Sequence, residues 1–302
     1  MNDIFDPSGL CGWVDDPARH AVAATLPTLA QAGPDLYGAD ISGDILLYKA
    51  WKDATGAYWP YVAQTIGDCV SHGHGHGYDL LQCVEYVLEG GSRGELKRDD
   101  TETDTEFLYG AGREAAGMLG SWGDGCYGSA MVKAMTQLGV MPRSAVGPYD
   151  GQRAKRWGHD GAPAELKTKA AQWKLGNAAL VRNWDELLSA LANGYPVTIC
   201  TALGFTMRRD EAGFCQRRGR WGHCMLVCGV RQDTRPGACI FQSWGPGVPS
   251  GPTALDQPDN SFWVERGDVE AILGEGDSWA LSKGPLFTPR PIPARWSYAD
   301  YI

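Results

Sequence analysis

A chain of 302 residues, 43% hydrophobic and 21% charged, is a globular composition large enough for one two-lobed domain or two ordinary ones. A net charge of −9 argues against nucleic acid and anionic membrane surfaces as partners, and no apolar run reaches membrane-spanning length. Nine cysteines, an odd number without the density of a disulfide framework, and an N-terminus lacking the basic and apolar regions of a signal peptide point to cytoplasmic synthesis with free thiols.

Residues 1–43 are rich in Gly, Pro and Asp, with one apolar stretch at Ala21–Leu29 that fits a short helix; the segment reads as an irregular N-terminal arm wrapped on the body or on a partner. From Asp44 the run D-I-L-L-Y-K-A-W-K-D predicts an ordered segment ending near Thr55-Gly56. Val70 to Glu89 has helical spacing, with Val70, Tyr78, Leu81, Val84 and Val87/Leu88 returning at three- and four-residue steps. Gly73, Gly75 and Gly77 each weaken a free helix by up to ~1 kcal/mol relative to alanine, a cost that suits a central helix whose backbone is closely approached. Phe107–Leu119 and Ser129–Leu138 read as further helices, separated by the turn-rich S-W-G-D-G-C-Y-G. After about Gly176 the pattern changes. A short helix is expected over Asn183–Ala192, strands at Y-P-V-T-I-C-T-A, His223–Val230, Ala238–Gln242 and Ser261–Val264, and a last helical turn at Asp268–Leu273. A helical half followed by a strand-rich half is α+β. The Pro-rich tail is expected to be an extended wrap or linker.

The chemistry concentrates in Q-T-I-G-D-C-V-S-H-G-H-G-H-G-Y-D, residues 64–79. Cys69 stands at a helix start, where the positive end of the helix dipole favours thiolate. It is either a nucleophile or a neighbour of a histidine metal site. His72 and His76, four apart, share a helix face with Cys69 one turn earlier, but His74 points elsewhere and no Asp, Glu or further Cys sits at ligand spacing, so helix packing is favoured and no metal is expected. A cysteine nucleophile needs a base, something to orient that base, and donors aimed at the oxyanion. Of the six histidines, His223 opens the strand H-C-M-L-V-C-G-V, a rigid place from which to present an imidazole, and F-Q-S-W-G follows about twenty residues later. Cys224 and Cys228 read as core packing, and Arg208, Arg209, Arg217, Arg218 and Arg220 as a solvated basic loop.

The order Gln64, Cys69, His223, then Gln242-Ser243-Trp244-Gly245 resembles the papain-like cysteine peptidases. Gly125-Cys126-Tyr127-Gly128 with Pro148-Tyr149, Leu187–Val197 and Ser261–Arg266 extend the likeness over roughly residues 64–266. The resemblance implies a two-lobe fold within residues 44–285, with a helical lobe over about 60–175, an antiparallel β-sheet or barrel lobe over about 176–285, and a tail over 286–302. It implies Cys69 as nucleophile, His223 as base, Gln242 in the orienting-amide position, Gln64 in the oxyanion hole and Trp244 shielding the His223–Gln242 contact, acting on a peptide or protein substrate without a cofactor. The family has Asn where this chain has Gln242, and the extra methylene moves the carbonyl by about 1.5 Å. Gln64 is five residues before Cys69, one fewer than in papain, and Val70 replaces the usual aromatic. In some family members the counterpart of Cys126 pairs with a cysteine of the first helix, for which Cys83 is a distant candidate here. The wording L-L-Y-K-A-W and I-G-D-C-V-S-H-G is similar to papain-like proteins encoded among bacteriophage structural genes. That likeness implies either a virion-associated enzyme or a structural virion protein with lost catalysis, contacting other virion proteins through its terminal arms. Because the arm before Gln64 is shorter than a typical inhibitory propeptide, no such propeptide is expected.

Overall fold

The computed structural model describes residues 5–37, 41 and 43–297. Its helices are α1 (Pro17–Ala23), α2 (Leu29–Ala32), α3 (Lys49–Thr55), α4 (Cys69–Leu88), α5 (Arg98–Thr101), α6 (Thr105–Ala116), α7 (Gly128–Gln137), α8 (Gly151–Asp160), α9 (Ala164–Ala170), α10 (Trp184–Ala192) and α11 (Arg266–Gly274). The strands are β1 (Asn177–Leu180), β2 (Val197–Phe205), β3 (Arg217–Arg231), β4 (Gly237–Phe241), β5 (Ser261–Glu265) and β6 (Ser278–Ser282). They form one antiparallel sheet in the order β1-β6-β2-β3-β4-β5, giving the expected α+β arrangement of a helical half and a sheet half.

Helix α4 is the pivot of both halves. Leu80, Cys83 and Val84 belong to a core shared with the sheet, α3 and α10, whereas Cys69, Val70, Tyr78 and Leu81 belong to a second core with α6 and α7. A helix packed on opposite sides has no solvent face, and every residue from Cys69 to Leu81 is buried. The glycines follow from this. A Cβ on Gly73 would lie 2.7 Å from Cys224 Sγ and 3.0 Å from the Cys224 carbonyl carbon, and one on Gly77 would lie 2.9 Å from Leu281 and Thr198 side-chain carbons. The helix lies against β3, β2 and β6 at a distance only glycine permits. Asp104 caps α6 by accepting from Phe107 N at 2.7 Å, and Asn183 caps α10 by accepting from Glu186 N at 2.9 Å.

Several elements differ from the sequence reading. The helix in the arm is α1, which starts at Pro17 behind the Asp16 cap, and the Pro27-Thr28 pair ends the apolar stretch before α2. Strands β1 and β6 are short and pair with each other along one side of the sheet, so neither carries a recognisable alternation of its own. Strand β3 begins six residues before His223, because its exposed, arginine-rich end continues the ladder with β2 past bulges at Leu203. The tail over 286–297 runs back along the body, where Tyr195 Oη donates to Thr288 O at 2.9 Å and Trp296 Nε1 donates to Asp53 Oδ2 at 2.7 Å.

Candidate active site

Cys69 opens α4, where first-turn N–H groups have no intrahelical partner. Its side chain is fully buried. Sγ accepts a hydrogen bond from Gly12 N at 3.2 Å and faces Gly222 O at 3.7 Å. His223 stands next to Gly222 on β3, also fully buried, with its ring stacked on Trp244 at 4.2 Å and 22°. Trp221 meets the same indole edge-on at 4.8 Å. Cys69, His223 and Trp244 thus gather where α4 meets β3, but neither His223 ring nitrogen has a hydrogen-bond partner, Sγ included.

The two glutamines are committed elsewhere. Gln242 donates through Nε2 to Val248 O and accepts the Trp244 N–H on Oε1, so its amide closes the Ser243–Val248 turn and is not bonded to His223. Its longer side chain folds back onto its own loop. What touches His223 in this structure is the Trp244 ring. Gln64 accepts from the Ser243 hydroxyl on Oε1 and donates from Nε2 to Leu10 O and Ile66 O, both at 2.7 Å. The amide expected to hold an oxyanion is thus turned to a carbonyl of the N-terminal arm.

That arm lies in the cleft. Trp13 N donates to Gly222 O at 2.8 Å on the sheet side, while Cys126 N donates to Gly12 O at 2.8 Å and Val14 N to Cys126 O at 3.0 Å on the helical side. Trp13 Nε1 donates to Asp277 Oδ2 at 2.8 Å, an oxygen also bonded by Gly128 N at 2.8 Å, while Trp279 Nε1 holds Oδ1 at 2.7 Å. Phe5 packs on Trp244 at 5.5 Å. Residues 10–14 therefore span the two walls beside Cys69, with Gly12 N on its sulfur. The sequence reading expects no propeptide of the family's inhibitory length; what the structure places beside Cys69 is a short strap of the arm, which passes residue 67 closely because both Gly12 and Gly67 lack a Cβ. Leu10, Gly12, Trp13, Cys126 and Asp277 escaped the sequence reading as cleft residues. The one local hint was a glycine between Cys11 and Trp13 with no turn to make.

Burial sets the electrostatics of the pair. Desolvation pushes the Cys69 thiol well above its ordinary value, with nearby Cys224 adding to the rise. Desolvation, with the neighbouring His72 adding to it, drives His223 down to about 3. Burial thus disfavours the charged form of both groups.

The three histidines of α4 do not converge. His72 Nε2 lies 3.5 Å from Asp68 Oδ2, and His74 bridges Val70 O at 2.9 Å and Thr198 Oγ1 at 3.1 Å. His76 packs 4.1 Å from the Tyr61 ring with both nitrogens unpartnered. Among the described residues no three His, Cys, Asp or Glu side chains meet as metal ligands. All nine cysteines are free thiols. The arginine cluster divides: Arg217, Arg218 and Arg220 are exposed on β3, whereas Arg209 is buried and donates to Gly251 O, Asp259 O and Ser261 O, pinning the loop after β4 to β5. The solvated-loop reading fails for Arg209 because those carbonyls face a guanidinium with several fixed donors. No helix of the described residues is long and apolar enough to cross a membrane.

No protein-family model matches the chain, and no curated relative is found by sequence. Solved structures do match over most of their length. Xylellain, a cysteine protease from Xylella fastidiosa, superposes with a TM-score of 0.56 at 17% identity, covering 93% of this chain and 94% of that one. ProCathepsin B S9 from Trypanosoma congolense gives 0.58 at 9% identity over 90% and 85%, and the proform of the Amb a 11 cysteine protease, a ragweed pollen allergen, gives 0.58 at 14% over 91% and 75%. The chain is thus similar across nearly its whole length to papain-like cysteine proteases, and the fold it shares with them is the papain-like one.

Proposed function

We propose that the protein is a latent cysteine peptidase that hydrolyses peptide or peptide-like amide bonds through an acyl-enzyme on Cys69. The observation that carries this reading is the strap itself. The cleft beside Cys69 holds an extended polypeptide by its main chain, through Gly222 O on one wall, Cys126 N and O on the other, and the Gln64 amide ahead of α4. A site that grips backbone in this way suits an extended peptide, with room only for glycine where the strap passes Gly67. With the strap displaced, water reaches both groups, the penalty on their charged forms falls, and His223 takes the Cys69 proton. The thiolate attacks the scissile carbonyl. Its oxygen is received by the N–H at the start of α4 and by the Gln64 amide freed from Leu10. His223 then returns the proton to the departing amine, and water cleaves the thioester to regenerate the thiol. In this reading Trp244, stacked on the ring, fixes the imidazole in place of the usual amide.

A second reading has one observation in its favour: Gln242 is spent on its own loop, which leaves His223 without a polar orienter. Under it the chain is a structural component of a phage particle, contacting other virion proteins through its terminal arms, with catalysis lost. The two readings separate in one experiment. The Gly12→Ala chain, whose strap is displaced, is incubated with a mixed peptide library and the products are mapped by mass spectrometry. Cleavage that disappears in the added Cys69→Ala variant and survives Cys224→Ser supports the peptidase; no cleavage from a folded Gly12→Ala chain refutes it.

A further inference from the structure

Between α1 and the turn after it on one side and α7, β1 and β6 on the other, the arm leaves a cavity of about 1130 Å³. Val22, Leu26 and Pro27 from the arm, Ala130 from α7 and Trp279 from β6 give it an apolar stretch, beside polar side chains such as Gln31, Gln137 and Asn177. Val22, Leu26 and Leu286 are 64%, 44% and 63% exposed, so apolar surface at this cavity is open to solvent. The cavity is as large as the upper range of small-molecule sites, about 1,000 Å³. Its charge is one-sided. Arg19 and Lys133 line it and no Asp or Glu does, although the chain as a whole carries −9. Neither cation has a carboxylate partner among the described residues. Arg19 donates to Ala116 O at 3.3 Å and lies over the Tyr127 ring, and Lys133 projects from the exposed side of α7.

We infer that this cavity binds an anionic amphiphile, an aliphatic chain with a carboxylate head seated between Arg19 and Lys133. An apolar chain gains by leaving water for the Val22, Leu26 and Trp279 surfaces. The head meets two cations that nothing else neutralises. A long-chain amine would be repelled at the same place, and an uncharged tail would leave the cations unused.

The position has a consequence for the cleft. Helix α1 begins four residues after Trp13, so one wall of the cavity is continuous with the strap. A ligand touching arm and body together binds only while the arm is docked, and by linkage it favours the docked state. Occupancy therefore lowers access to Cys69. This second effect rests on the strap reading above, whereas binding does not.

The test uses the full chain and decanoate below its micellar concentration, with decyltrimethylammonium as the tail-matched cation. Calorimetry is expected to give saturable one-site binding of decanoate, about two- to fivefold tighter than the cation. Lys133→Glu should remove that preference, and Thr136→Trp, which fills the cavity from α7, should abolish binding while the melting temperature without ligand is kept. Equal binding of both amphiphiles, binding indifferent to both variants, or no binding overturns the inference. Alkylation of Cys69 is followed in parallel. Slower labelling with decanoate supports the link to the strap, and unchanged labelling with intact binding refutes that link alone.

Discussion

A methyl group on Gly12 tests the strap as a gate. The Cβ of Gly12→Ala would fall 1.8 Å from Gly67 O and 2.4 Å from its carbonyl carbon, both rigid backbone at the start of α4. The segment must retreat by more than ~1 Å, since ordinary carbon contacts lie near 3.5–4.0 Å. Residues 10–14 are held by six hydrogen bonds, each worth about 1 kcal/mol. Burying the Trp13 ring adds ~2–3 kcal/mol. Ordering five residues costs about 1 kcal/mol each. The balance favours the docked strap by ~3–4 kcal/mol, or two to three powers of ten in access to the thiol. Retreat at Gly12 breaks the bonds to Cys69 Sγ and Cys126 together, which is enough to cancel most of that preference. The assay is the rate of Cys69 alkylation by iodoacetamide, with the modified residue identified by peptide mass. We expect an acceleration of about 100-fold in Gly12→Ala, with the other buried cysteines unmodified and near-ultraviolet circular dichroism retained. A folded Gly12→Ala chain that labels at the wild-type rate would show that the strap does not gate Cys69.

Three further outcomes follow from the same geometry. Adding His223→Ala to Gly12→Ala should return Cys69 labelling at pH 7 to the rate of an ordinary thiol; if labelling stays fast, the thiolate is formed without His223. His76 is buried with both nitrogens unpartnered, and burial, with His72, Arg143 and His223 nearby, holds it well below the ordinary histidine value. Its contribution to stability is therefore present above about pH 6.5 and lost as pH falls below it, because the unfolded chain takes up a proton that the folded chain refuses, at about 1.4 kcal/mol per pH unit. Asp79 has the opposite sign. Burial raises its carboxyl to about 8 against the bonds from Thr103 and Tyr61, so its contribution is full below the unfolded carboxylate range and declines as pH rises toward 8. Urea unfolding between pH 5 and 8 should show His76→Phe losing one proton of slope below pH 6.5 and Asp79→Asn losing the opposing slope over the whole range; slopes identical to wild type would contradict the burial argument. Finally, Gly73→Ala should cost about 3 kcal/mol or more, because its methyl meets the β3 backbone at 3.0 Å as well as the Cys224 sulfur. A melting temperature within a degree of wild type would mean that α4 and β3 can separate freely.

Local chemistry was enough to recognise some of this protein. The turn Ile66-Gly67-Asp68 before a long apolar period marks where α4 begins, so Cys69 at a helix start is written in the sequence. The alternation and apolar runs of β2, β4 and β5 and the order of Gln64, Cys69, His223 and Trp244 carry the α+β fold class for the same reason: each depends on residues near in sequence or on their order. Contacts between distant segments carry no such mark. That α4 is buried on every side depends on which two cores close around it, and three alternating glycines acquire their meaning only when β3 arrives at Gly73. The direction of an amide is likewise tertiary. Gln64 and Gln242 have the chemistry for an oxyanion hole and an orienter, but Leu10, Ser243 and Val248 decide what they hold in this state. The strap was the least legible feature, because a glycine and a tryptophan in a polar arm become a lid only when Gly67, Cys126 and Asp277, brought from three other parts of the chain, stand where they can receive them.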